Sequence, residues 1–424
     1  MDKNHQTLSP LVSRISAALK IDLSYILRGG SWLTLGQILS ATIALLLSMA
    51  FARLVSKEVY GEYKYILSLT SMLGIFSLNG MSVAVTRATS AGFDGTVLKV
   101  VKRALMWNAI LFPISLIISL YYLFNDNHGL AISFIVFGIS SPLISSYGLY
   151  DGYLIGKKDF RRSVMTASTT SLLVAIGLIV AMFTNPSPLL LVTIYFALTL
   201  IGTLYFYNTT IHWYTPETKS VDPEAVNYGA HLSVMSFFNV VADQLDKVLV
   251  FHYLGAAQLA IYSFAIAIPE QIKGVLKNVT VLMLPRFAER SDKEIIRTLW
   301  RKMFLYTLAV TAIVLMYIFL APYIFKFLFP AYAESVYYSR LVVASLFAVI
   351  ANVPYAAMQA RMKKRLLYFF NISSALVQIA LFFLLTPTYG LLGAILAIIG
   401  GRAYSLVFWT IMSIVLTCSK KQSI

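Results

Sequence analysis

The chain has 424 residues, 58% of them hydrophobic and only 12% charged, with a mean hydropathy of +0.76. A soluble domain carries about a quarter charged residues, so this composition excludes one and reads as a membrane protein. The net charge of +16 comes from bases lying between apolar runs rather than on one solvated face, which excludes nucleic-acid binding, and the lone Cys418 leaves no internal disulfide and no Cys metal site.

The N-terminal segment 1–29 contains "LVSRISAALKIDLSYILR" (11–28). Leu11, Ile15, Ala18, Leu19 and Ile26 fall near one helical face with the charges mostly opposite, predicting an amphipathic helix in the inner membrane interface. A gating or partner-binding helix is the other reading. No cleavable signal is visible, because the first spanning run begins near Gly30 and is too long for a signal's apolar core.

A window of ~20 apolar residues predicts twelve spans. They lie at 30–53, 62–86, 100–123, 130–154, 163–183, 188–208, 227–253, 257–285, 300–328, 334–360, 366–386 and 390–416. Pro, Gly and polar clusters such as "TNPSP" (184–188) and "TPTYG" (386–390) mark the short connections. The longest connection divides the chain into a six-helix lobe at 30–210, a linker at 211–226, a second lobe at 227–417 and a tail at 418–424. Of the 34 Lys and Arg, 25 fall on the N-terminal side of the membrane. By the positive-inside rule both termini are cytoplasmic. Arg53, Lys57, Lys64 and Lys326 count as outer-side residues, while Lys247, Lys273, Lys277, Arg340 and Arg402 lie within spans.

An internal repeat is visible at an offset of 199, which sets "LVSKEVYGEY" (ending at Tyr63) on "YLGAAQLAIY" (ending at Tyr262) and Arg87 on Arg286. Copies six helices apart share one orientation, so the repeat is parallel, as in transporters that bind substrate between their halves.

In "IPEQIKGVLK" (268–277), Glu270, Lys273 and Lys277 share an arc of roughly 60° on one helical face. Pro269 removes a backbone donor beside them and predicts a bend. The preceding span carries His231, Asn239, Asp243, Asp246 and Lys247 on a broad polar face. Charges at such depth are expensive, ~2.5–3.5 kcal/mol each on insertion scales. Helical spacing pairs Glu270 with Lys273 and Asp243 with Lys247, yet the five bases outnumber the three acids. That surplus predicts an anionic group passing along the stripe: Lys247, Lys273, Lys277, Arg340 and Arg402 as its contacts, Glu270, Asp243 and Asp246 as coupling or cavity acids, and His231 and Asn239 as polar lining.

Gly148, Gly152 and Gly156, four apart in "GLYDGYLIG", predict close helix packing around Asp151. "GYLIGKK" is too short between its glycines for a phosphate-binding loop, and no metal-ligand spacing or nucleophile elbow is present. The sequence thus predicts no enzyme, no cofactor and no metal.

Three segments carry a family likeness. "RGGSWLTLGQILSATIALLLSMAFARLVSKEVYGEYKYILSLTSMLGIFSLNGMSVAVTR" (28–87) resembles the start of bacterial polysaccharide-repeat flippases, the O-antigen translocases of the multidrug/oligosaccharidyl-lipid/polysaccharide exporter superfamily. That family's Leu-Gly-Pro-Glu-Glu-Tyr-Gly-x-Tyr pattern reads "VSKEVYGEY" here, with Ser56 and Lys57 in place of Gly and Pro. "ADQLDKVLVFHYLGAAQLAIYSFA" (242–265) is similar to the family's second copy through Asp246, Leu254 and Gly255, and "TPTYGLLGAILA" (386–397) to a segment near its end. The resemblance implies an all-α polytopic protein with two six-helix lobes around a central cavity, no catalytic residues, and an inner-membrane location. It implies an undecaprenyl-pyrophosphate-linked oligosaccharide as cargo, flipped from the cytoplasmic to the periplasmic leaflet, with membrane lipid and other polysaccharide-assembly proteins as partners. Three alternatives compete. A cation-coupled drug exporter of the same superfamily would favour buried acids. A polysaccharide polymerase would be expected to expose a sizeable periplasmic loop, and an assembly scaffold would leave the buried charges unexplained.

Overall fold

The computed structural model describes residues 23–218, 220–281, 292–360 and 364–419, and all regular structure among them is helical. The helices are α1 (Leu23–Leu54), α2 (Lys57–Leu73), α3 (Met81–Ser90), α4 (Thr96–Asn108), α5 (Leu111–Phe124), α6 (His128–Tyr147), α7 (Tyr150–Gly156) and α8 (Phe160–Thr184). They continue with α9 (Pro188–Tyr214), α10 (Ala225–Leu254), α11 (Ala256–Val281), α12 (Asp292–Leu328), α13 (Ser335–Ala344), α14 (Asn352–Ala360) and α15 (Lys364–Ser419). The interfacial helix expected over 11–28 lies outside the described residues except for its last turns, which open α1. Arg286, the repeat mate of Arg87, lies outside them too.

Among the described residues nine helices or helix pairs are long and apolar enough to cross a membrane, and one bent pair, Lys57–Phe76 with Met81–Ser90, makes a tenth. The 56 residues of α15 would reach roughly 84 Å at 1.5 Å each, far beyond a ~30 Å hydrocarbon core, and they break at Gly390 (φ 60°, ψ −136°) into two spans. Helix α10, 30 residues long, stands apart from these apolar helices through Asp243, Asp246 and Lys247. Phe183, Phe304, Phe319 and Phe327 are each more than two-thirds exposed; aromatic surface of that extent belongs against lipid. The chain is an all-α, multi-pass membrane protein.

Local chemistry sets the helix ends. Asn127, Asp159 and Ser187 accept the backbone N–H of Leu130, Arg162 and Leu190 at the starts of α6, α8 and α9, with Pro188 in the first turn of α9. Gly255, at φ +84°, makes the one-residue break between α10 and α11, a conformation that a Cβ would strain. The second span was expected as one helix over 62–86, but it bends by 59° at "GIFSLNG" (74–80). There Ser77 Oγ and Asn79 Nδ2 donate to the Gly74 carbonyl at 2.6 and 2.9 Å, and the N–H groups of Leu78 and Gly80 reach Asn108 and Ser233. Side chains thus take over the backbone groups that the broken helix frees. By contrast, α11 continues through Pro269.

The chain forms two compact units, one of residues up to 50 with 73–236, the other of 51–72 with 237–424. In the first, Gly152 and Gly156 let α7 lie directly on α3: added Cβ atoms would meet Ser82 and Thr86 backbone, and Thr86 and Ser90 hydroxyls donate to the two glycine carbonyls. Asp151 accepts a hydrogen bond from Ser163. In the second, the segment 51–72, sequence-adjacent to the first lobe, packs on α11 and its neighbours. Gly61 lies against the Ala256 backbone, Tyr65 stacks on Phe251 at 3.8 Å, and Tyr60, Phe264, Phe329 and Tyr332 form one aromatic cluster with Phe51. The "VYGEY" pattern is therefore a packing device.

Candidate functional site

Within the second unit, α2, α10, α11 and α15 bring charged side chains into one connected network. Helical spacing aligns Glu270 with Lys273 on α11, and they form an ion pair. The other oxygen of Glu270 pairs with Arg402 Nη2 from α15. Arg402 Nη1 donates to Ser345 Oγ at 2.7 Å. Ser345 is the first residue of a 3₁₀ stretch, Ser345–Ala351, set between α13 and α14 in the middle of a span. Mid-helix 3₁₀ segments often mark hinges or strain, and here a guanidinium is seated on one.

On α10, Lys247 Nζ pairs with Asp246 at 3.3 Å and donates to the main-chain carbonyl of Asp243 at 3.1 Å. Lys247 thus holds an ion pair with Asp246, and Asp243 acts on Lys273 through its charge. The buried Tyr262 donates its hydroxyl to the other Asp246 oxygen at 2.7 Å. Lys273 is within Coulombic reach of Asp246 and Lys247, and Arg402 of Asp246, so the α10 and α11 groups share one field.

Lys64 of α2 joins this network from the far side of the sequence: it is half-buried, over the Tyr60 ring at 5.5 Å, and repelled by Lys247. It was counted as an outer-side residue although it falls inside the predicted span 62–86, and that position was the signal available for it. Ser345 had no signal, and Tyr262 only its place in the repeat.

The remaining expected site residues lie elsewhere. Arg340 is exposed, its Nε donating to the Ile318 carbonyl at 3.0 Å. His231 is exposed in the first unit. The side chains of Lys277 and Asn239 lie outside those described. Among the described residues no grouping of His, Cys, Asp and Glu could hold a metal ion.

The resulting arrangement carries Lys64, Lys247, Lys273 and Arg402 against Asp243, Asp246 and Glu270. Ion pairs desolvated together are held only while each partner stays in place. A visiting anion can therefore take a base from its carboxylate at little net change in charge contact.

Comparison with known proteins bears on what such a network serves. A family model described as "Polysaccharide biosynthesis protein" matches residues 26–291, well over half of the chain. Among curated proteins none matches it. Among solved structures, the lipid II flippase MurJ in an inward closed conformation is similar with a TM-score of 0.67 at 15% identity, over 91% of this chain and 89% of that one. An inward-facing multidrug resistance MATE family transporter of the MOP superfamily is similar with a TM-score of 0.66 at 15% identity, over 91% and 96%. An outward-facing MATE structure gives 0.58 at 14% identity, over 93% and 97%. These structures are of transporters and flippases, not enzymes, and at such identity they speak for the fold alone. The chain belongs to the polysaccharide biosynthesis protein family and is built on the fold that these MOP-superfamily transporters share.

Proposed function

We propose that this protein is a flippase for an undecaprenyl-pyrophosphate-linked repeat unit of O-antigen or a similar surface polysaccharide, carrying it from the cytoplasmic to the periplasmic leaflet of the bacterial inner membrane by alternating access. The observation that carries the reading is the network of Lys64, Lys247, Lys273 and Arg402 at span depth. Its bases outnumber its acids. A pyrophosphate entering the site competes with Glu270 for Arg402 and Lys273, and with Asp246 for Lys247, while the polyprenyl tail stays in lipid. Arg402, Lys273 and Lys247 are thus never left alone in low dielectric, which keeps the barrier low. Glu270 and Asp243 serve as the coupling acids, Glu270 by yielding its two bases to the cargo. Both termini face the cytoplasm in this scheme, and other polysaccharide-assembly proteins supply and consume the cargo.

Cationic drugs would meet like charge at Arg402, Lys273 and Lys64, so a drug exporter on the same fold is the weaker reading. The test is a deletion strain complemented with wild type or with Lys273→Glu/Lys277→Glu, scored for the surface polysaccharide ladder and for the leaflet holding the lipid-linked repeat. Repeats trapped in the cytoplasmic leaflet in the deletion and in the double variant, at normal protein level, support the flippase. Single repeats reaching the periplasm move the assignment to a polymerase, and an intact ladder with altered drug tolerance moves it to an exporter.

A further inference from the structure

Apart from this network, the first unit holds a cavity of about 610 Å³ between α8 and α9, lined by Asp159, Arg161, Arg162, Met165, Thr166, Thr169, Phe206 and Trp213. Its volume lies within the range of ~300–1,000 Å³ usual for small-ligand sites. It is built in two layers. Arginines and an acid occupy the end where α8 begins, next to Lys157 and Lys158, and Met165, Phe206 and Trp213 supply an apolar wall. By the positive-inside rule that end is the cytoplasmic boundary.

The polar layer is fixed in place. Arg162 Nη1 donates to Tyr214 Oη at 3.1 Å and faces Asp159 at 3.4 Å, and Tyr214 in turn donates to Asp159 at 2.6 Å. The Arg162 guanidinium lies 4.5 Å from the Trp213 ring centroid, and that of Arg161 lies 5.6 Å from Trp32. A guanidinium offers five N–H donors, and these polar contacts of Arg162 engage Nη1, so donors remain to face the cavity. Among the lining residues, two arginines against one carboxylate leave a single positive charge. The first turn of α8 adds its own partial positive charge at the same point.

We propose that this cavity binds the phosphodiester headgroup of an anionic membrane lipid. One phosphodiester carries the one negative charge that the surplus calls for, and Arg forks match phosphate oxygens. Thr169 offers its exposed hydroxyl to the glycerol region, and the Met165, Phe206 and Trp213 wall takes the first carbons of the acyl chains. Basic pockets between spanning helices on the cytoplasmic side are suited to such headgroups.

The experiment uses the purified full chain in detergent, with phosphatidylglycerol and phosphatidylcholine as probes, read by native mass spectrometry and thermal unfolding. Wild type retains phosphatidylglycerol and is stabilised by it, and phosphatidylcholine does neither. Arg161→Gln, and separately Met165→Trp, which fills the cavity, each weaken retention about tenfold, with lipid-free unfolding unchanged. Lys64→Gln retains the lipid fully, so loss of transport and loss of this site are read apart. Equal retention of both lipids, or unchanged retention in both cavity variants, overturns the proposal. Displacement of phosphatidylglycerol by undecaprenyl pyrophosphate also overturns it, and makes the cavity a dock for the cargo.

Discussion

Arg402 and Glu270, 132 positions apart in the chain, are joined through Nη2 and Oε1, and the same carboxylate holds Lys273 on its other oxygen. One acid therefore ties α11 to α15 and pairs with two bases at once, leaving one positive charge over. Glu270→Gln leaves Arg402 and Lys273 facing each other. Breaking one side of a fully buried pair loses ~3–5 kcal/mol; the Glu270 side chain is 33% exposed, so a loss of about 1–2 kcal/mol is expected. In a thermal-unfolding double-mutant cycle, Glu270→Gln with Arg402→Gln is less destabilised than the two single changes summed. Additive losses would mean that the pair is not coupled.

Lys64 is the test of the network's extent. Lys64→Arg keeps the charge and supports normal surface polysaccharide in a complemented deletion strain, whereas Lys64→Glu abolishes it at unchanged membrane level. Since Lys64 and Lys247 repel one another, Lys64→Gln folds at least as stably as wild type. Normal polysaccharide with Lys64→Glu would remove this residue from the site.

Two glycines near the repeat boundary are required for different reasons. A Cβ on Gly61 would overlap the Ala256 backbone, which cannot yield as a side chain does. Gly61→Ala should destabilise by about 1–3 kcal/mol through overpacking. Gly255→Ala meets nothing within 4 Å but must adopt φ +84°, a strain of ~1–2 kcal/mol. Fluorescence-detected size exclusion after graded heating separates them from wild type, and Gly61→Val should be worse than Gly61→Ala while Gly255→Asn is milder than Gly255→Ala.

The pair Lys57–Glu334, at 3.2 Å, is a control. Its side chains are 29% and 65% exposed, and exposed pairs contribute ~0–1 kcal/mol. Lys57→Ala should change the unfolding temperature little and leave polysaccharide export intact.

The spans were legible because lipid imposes length and apolarity on each one, and the break at Gly390 was legible because the Pro, Gly and polar residues of 386–390 mark a connection. The Glu270–Lys273 pair followed from helical spacing. The Arg402–Glu270 contact could not follow from it, because nothing local relates two helices so distant in sequence. Lys64 was misplaced for a related reason: a side count treats any base near a span's end as belonging to water, while its surroundings are set by Tyr60 and α10. The bend at 74–80 hid behind continuous apolarity, since the groups that permit it, Asn108 and Ser233, lie on other helices.

Segment 51–72 finds its partners in the second unit, beside α11. A chain cut in the 211–226 linker would accordingly yield two fragments, neither holding all the residues of that unit. The N-terminal fragment would carry the Phe51, Tyr60 and Tyr65 face without its cover, and the C-terminal one would lack a helix against Ala256. Residues from both sides of the 211–226 linker are therefore needed to complete one unit.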